Sequence, residues 1–97
     1  MPATLSRPAG LHVVSTQRTA GITITRFTTT ESLVQAARTF RVELPKAGFD
    51  LRGGDAEGDE VDQRFGGSGY RGALKLHGSS ACHTEGTLVG TRLRLSQ

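Results

Sequence analysis

Residues 65–78 read FGGSGYRGALKLHG. Gly67, Gly69 and Gly72 form a GxGxxG, which opens a phosphate-binding loop when a strand precedes it and a helix comes after it. The same glycines serve a hairpin when strands lie on both sides, because glycine tolerates positive φ. The residues beyond Gly72 decide between the two. ALKLH alternates apolar with polar, and GSS then interrupts, so the run is too short for a helix. Without a helix N-terminus there are no free amides and no dipole end for a pyrophosphate. The acid that would hold a ribose about 20 residues further on would fall near Arg92. No Gly-Lys-Ser/Thr completes a Walker A loop. A kinase-type glycine loop is a hairpin and matches locally, but 97 residues cannot hold the rest of a kinase. The stretch therefore reads as a turn, GGSG at 66–69, between two strands.

Working outward, EVDQRF (60–65) is the strand before this turn and YRGALKLH (70–77) the strand after it. FDLR (49–52) is another strand, leading into a glycine-and-acid turn, GGDAEGD (53–59). GSSACHTEG (78–86) reads as a longer loop, and TLVGTRLRL (87–95) as the last strand. Towards the N-terminus, LHVVSTQ (11–17) and ITITRFT (22–28) form a hairpin across RTAG. Ile22 and Ile24 share one side of that second strand, with Thr23, Thr25 and Phe27 on the other. Between the two groups of strands the period changes. Leu33, Ala37, Phe40 and Leu44 mark one face of a helix from about 30 to 44. Thr28 with Glu31 suggests a capping box, and Pro45 and Gly48 suggest its end. Residues 1–10, MPATLSRPAG, read as a flexible lead-in, leaving 11–97 as a single domain.

The order is ββαβββ(β), an α+β fold in which one helix covers one face of an antiparallel sheet. Strand parity then sorts the side chains. Leu74, Leu76, Val89, Thr91, Leu93 and Leu95 are expected beneath the helix, with Tyr70. Arg71, Lys75, Arg92 and Arg94 are expected on the open face, with Asp62 and Arg64, and Asp50 and Arg52.

Bulk composition sets limits. Hydrophobic residues make up 35% and aromatic residues 5%, which gives a small aliphatic core. Twelve bases against nine acids leave a net charge of +3, a mild preference for anionic partners. The single cysteine, Cys82, excludes a disulfide within the chain. No apolar run approaches the roughly 20 residues of a transmembrane helix, and no basic-then-apolar leader precedes the domain.

Few groups invite chemistry. His77, Cys82, His83 and Glu85 are all of zinc-binding type, but H-x4-C-H matches no finger or ribbon spacing. Adjacent Cys82 and His83 could pair as thiol and base, yet extended neighbours point apart. The expected place of Cys82 is a small plug in the core. Counting from Asp55, DAEGDEVD has Glu60 where a calcium loop needs glycine and Gly66 where it needs glutamate, so it reads as a solvated hairpin tip. No cofactor is expected. A basic sheet could also bind single-stranded nucleic acid, but such readers use aromatic platforms, and Tyr70 falls on the core side.

FTTTESLVQAARTFRVELPKAGFDL, with GDAEGDEVDQRFGGSGYRGALKL after it, resembles a group of small bacterial cell-envelope domains found after lipoprotein or secretion leaders. In these a helix runs into a Leu-Pro-Lys-Ala-Gly-aromatic turn, here Leu44 to Phe49. A strand, an acidic turn, a strand ending in Phe-x-Gly and another strand come next, here with Phe65 to Gly72. The resemblance spans residues of about 27 to 76. It implies an α+β fold and an extracytoplasmic location, and it carries no active-site residues. If Met1 is the true start, the expected location is cytoplasmic.

The sequence thus points to a non-catalytic binding module acting through Arg64, Arg71, Lys75, Arg92 and Arg94. Its partner would be a protein, a glycan or an anionic surface. A weak nucleic-acid binder using the same residues is the alternative. A zinc- or thiol-dependent enzyme at His77, Cys82 and His83 comes third.

Overall fold

The computed structural model describes residues 5–93. It contains one helix and six strands in the order ββαββββ: β1 (Leu11–Thr19), β2 (Ile22–Thr29), α1 (Leu33–Lys46), β3 (Asp50–Glu57), β4 (Glu60–Gly67), β5 (Tyr70–Ser80) and β6 (His83–Arg92). The strands form one antiparallel sheet ordered β1-β2-β6-β5-β4-β3. β3 to β6 is a simple meander, and β1–β2 is a hairpin that docks on β6.

GGSG is a turn. Ser68 and Gly69 have φ of 54° and 74°, the pair of positive values that a two-residue hairpin turn requires. Leu93 N donates to Gly69 O at 2.7 Å and fastens the turn to the end of β6. Gly72 is succeeded by strand, so no helix N-terminus faces the glycines.

The helix starts later than the sequence suggests. Ser32 is the N-cap, and its Oγ accepts from Gln35 N at 3.3 Å. Ser32-x-x-Gln35 has the capping-box spacing that was expected of Thr28 and Glu31. Thr28 belongs instead to β2, and Glu31 Oε2 accepts from Thr39 Oγ1. Pro45 sits within the last turn rather than beyond it. The exit is a Schellman motif: Phe49 N donates to Leu44 O at 3.1 Å and Gly48 N to Pro45 O at 3.0 Å. Gly48 takes φ of 97°, and Phe49 and Leu44, the apolar pair of the motif, are both buried. LPKAGF is thus a helix stop.

Three other boundaries differ from expectation. β3 runs on through the two glycines to Glu57, with a register shift between Leu51 and Gly54. The loop expected at 78–86 is mostly strand, and only Ala81 and Cys82 lie between Ser80 and His83. Leu5, in the expected lead-in, is buried.

The core collects Phe27, Ala36, Phe40, Leu44, Phe49, Phe65, Leu74, Leu76 and Leu88. Phe27 and Phe40 rings lie 5.5 Å apart. The helix touches β3 to β6 lightly compared with the strand-to-strand contacts. Leu74 and Leu76 are buried as parity requires, but β6 is turned the other way. Leu88 pairs with Leu74, and Val89 and Thr91 pair with Ala73 and Arg71 on the open face.

Glycine explains the reversal. Gly86 and Gly90 occupy the core side of β6, and aromatic rings from neighbouring strands cover them. A Cβ on Gly86 would overlap the Phe27 ring, and one on Gly90 the Tyr70 ring. Gly72 is covered by Phe65 in the same way. The rings supply the bulk that β6 itself lacks at these positions. In β2 the threonine side faces inward: Thr25 and Thr29 are buried with Phe27, while Ile22 is exposed.

Candidate functional site

The open face of the sheet is assembled by register. Arg64 on β4 pairs with Ala73 on β5, and Ala73 with Val89 on β6. Val89 pairs with Ile24 on β2. These positions make a row of Ile24, Val89 and Ala73 that ends at Arg64. Arg71 and Lys75 stand two residues either side of Ala73, on the same face. Three cations therefore surround one methyl group, beside an aliphatic strip.

A surface hollow of about 790 Å³ includes Arg64, Ala73, Lys75, Thr87 and Val89 in its walls. A smaller one, of about 280 Å³, shares Arg64, Ala73 and Val89 and adds Ile22, Arg71 and Thr91. Among the described residues the ion pairs are Lys46–Glu43 at 3.8 Å and His77–Asp59 at 3.6 Å. Among these residues Arg64, Arg71 and Lys75 therefore have no ionic partner, although Asp62 is the cross-strand neighbour of Lys75.

Arg92 does not belong to this cluster. It pairs with Tyr70, on the side of the sheet that carries Leu74 and Leu88. The expectation failed because the parity of β6 is set by its glycines rather than by its largest aliphatic residues. Arg94 and Leu95 lie outside the described residues. Tyr70 lies on the core side as expected, 5.5 Å from Phe49 and 6.2 Å from Phe65. Burial pushes its phenol above the ordinary value, and Arg92 offsets part of that rise.

The open face also lacks the expected basic surplus. By register Asp50, Asp55, Glu57, Glu60, Asp62 and Glu85 all lie on it. They face five cations: Arg26, Arg64, Arg71 and Lys75 by register, and Arg52, whose guanidinium lies over Gly66. The face is locally basic around Ala73 and acidic towards the β3–β4 hairpin. The stretch read as a glycine-and-acid turn, GGDAEGD, is in large part strand, and it places Asp55 and Glu57 on this side.

The aromatic residues are on the other side. Phe27, Phe65 and Tyr70 point to the core by register, and Phe40 and Phe49 are buried with them. These are all the aromatic residues the chain has. The open face therefore has no phenyl, phenol or indole ring on which a base or a sugar could stack; the rings it carries by register are the imidazoles of His12 and His77.

The zinc-type residues do not converge. Among the described residues no group of three or more His, Cys, Asp or Glu could hold a metal ion. His77 faces Glu85 across β5–β6 and lies near Asp59. Cys82 is exposed in the turn between β5 and β6, not buried as a core plug. His83 starts β6, and its carbonyl accepts from Ser79 Oγ.

Among the described residues no helix is long and apolar enough to cross a membrane. Comparison with protein-family models, with curated proteins and with solved structures finds no match.

Proposed function

We propose that the protein is a non-catalytic binding module whose open sheet face receives another protein at Arg64, Arg71 and Lys75. One observation carries this reading: three cations, without ionic partners among the described residues, surround Ala73 at one end of an aliphatic strip that runs on through Val89 and Ile24. Such a surface suits a partner that offers carboxylates beside aliphatic side chains. The carboxylates gain charge-assisted hydrogen bonds, and the aliphatic groups leave water. Nucleic acid and glycan fit less well, because the face offers no Phe, Tyr or Trp as a stacking platform. The resemblance of residues 27–76 to cell-envelope domains favours an extracytoplasmic setting.

The test is an amide-shift titration with a soluble peptide of alternating glutamate and leucine. Shifts centred on Arg64, Arg71, Ala73, Lys75 and Val89 are expected, and Arg64→Gln with Lys75→Gln should abolish them. Shifts confined to other surfaces would overturn the proposal. Equal shifts of the same residues with an oligothymidylate would favour the nucleic-acid reading instead.

A further inference from the structure

Among the described residues, cations outnumber acids on the side of the molecule opposite to the proposed protein-binding face. α1 turns Val34, Gln35, Arg38, Arg41, Val42 and Lys46 to solvent. At 100° per residue they share one sector of the helix, and no acid lies among them. Of the two acids on or beside the helix, Glu31 accepts from Thr39, and Glu43 is mostly covered and pairs with Lys46. Arg18 and Arg92 face the same side at one end of the sheet. Val34 and Val42 are 61% and 53% exposed, which leaves two aliphatic side chains, one on either side of Arg38 and Arg41 along the helix. That combination separates the possible partners. A nucleic acid or a soluble polyanion gains from the arginines but not from the valines. A bilayer surface with anionic headgroups gains from both, because the valines reach the boundary between headgroup and acyl chain.

We infer that the outward face of α1 docks on an anionic lipid surface, leaving the open sheet face directed away from the membrane. The binding is peripheral and salt-sensitive, since each cation within reach of the surface contributes roughly 1 kcal/mol and the valines are small.

Vesicle co-sedimentation tests this. The full chain should partition onto vesicles of equimolar phosphatidylcholine and phosphatidylglycerol at low salt, and stay in solution with phosphatidylcholine alone. Arg38→Gln and Arg41→Gln should each lower the partition coefficient about fivefold, the equivalent of roughly 1 kcal/mol per charge. Arg38→Lys should retain it. Val34→Ser with Val42→Ser should weaken vesicle binding while leaving retention by immobilised polyglutamate unchanged. Arg64→Gln with Lys75→Gln should leave vesicle binding intact, so the two surfaces are read separately. All these side chains are exposed, and thermal melts check that each variant is folded. No partition onto the anionic vesicles would overturn the inference. So would indifference to the valine pair, which would point to a soluble acidic partner, or a loss that tracks the open-face variants.

Discussion

Gly86→Ala tests how the core is built. A Cβ there would meet three carbons of the Phe27 ring, the most distant at 2.7 Å. Real Cβ contacts keep well beyond that, so something has to move. β6 cannot retreat easily, because it is paired on both sides, with β2 and β5. The ring must move instead. Phe27 is 1% exposed and packs on Phe40, so its displacement strains a filled space. Overpacking of this kind costs about 1–3 kcal/mol. Loosening the Phe27–Phe40 pair adds about 0.5–1.5 kcal/mol. Against this, alanine restricts the unfolded chain, which returns about 0.4–1 kcal/mol. The net expectation is a loss of about 2 kcal/mol, a large part of the ~5–15 kcal/mol that holds a typical domain together. For a chain of this size that lowers Tm by roughly 8–16 °C. Urea unfolding monitored by circular dichroism measures it. The double variant Phe27→Leu with Gly86→Ala should lose less than the sum of the two single losses, because the smaller side chain leaves room for the methyl group. If Gly86→Ala stays within about 0.5 kcal/mol of the parent, or if the two substitutions add without coupling, ring-over-glycine packing is not what sets the parity of β6.

Three further outcomes are expected. Ser32→Ala should cost about 1 kcal/mol in urea unfolding, the usual value of a lost N-cap, whereas Thr28→Ala leaves the helix cap untouched; the reverse result would place the helix start at Thr28. The chain has one tyrosine, so tyrosinate absorbance reports on Tyr70 alone and its midpoint should lie above that of the urea-unfolded chain. Because the folded value is raised, the associated stability is complete below the unfolded value of about 10 and is lost as pH rises through the folded one. Tyr70→Phe should remove that alkaline loss, and equal midpoints folded and unfolded would refute the assignment. Melting curves in zinc and in chelator should coincide, since His77, Cys82 and His83 do not converge; a zinc-dependent rise in Tm would revive a metal site.

Local signals carried much of the architecture. The change from alternating to helical spacing at Leu33–Leu44 marks α1, and the short polar breaks mark the hairpins. The order of elements comes from these alone. What local pattern could not supply was the direction of β6. In TLVGTRLRL the aliphatic residues fall on both parities, and the deciding groups are Phe27 and Tyr70, which come from other strands. The cue available in the sequence was the near match in number between aromatic residues and the glycines spaced along β5 and β6. It becomes specific only when the register is known. The same dependence governs the site. Arg64, Arg71 and Lys75 could be grouped from their own strands, whereas Arg92 was misassigned together with β6. The charge of the open face was misjudged because the acids near β3 and β4 looked like turn residues, while β3 in fact runs through them as strand.

The sheet order also bears on how the chain assembles. β3 to β6 can zip in sequence, each strand beside the next, and β1 with β2 is an equally local hairpin. The seam between β2 and β6 is different in kind. Across it Thr91 Oγ1 donates to Gly21 O at a separation of 70 residues, and beside it Thr84 Oγ1 reaches Glu31 O across 53. Closing so wide a loop carries most of the entropic cost that topology imposes on the folding rate. The molecule is two quick-forming halves strapped by a helix, and it becomes a single body only when that one ladder closes.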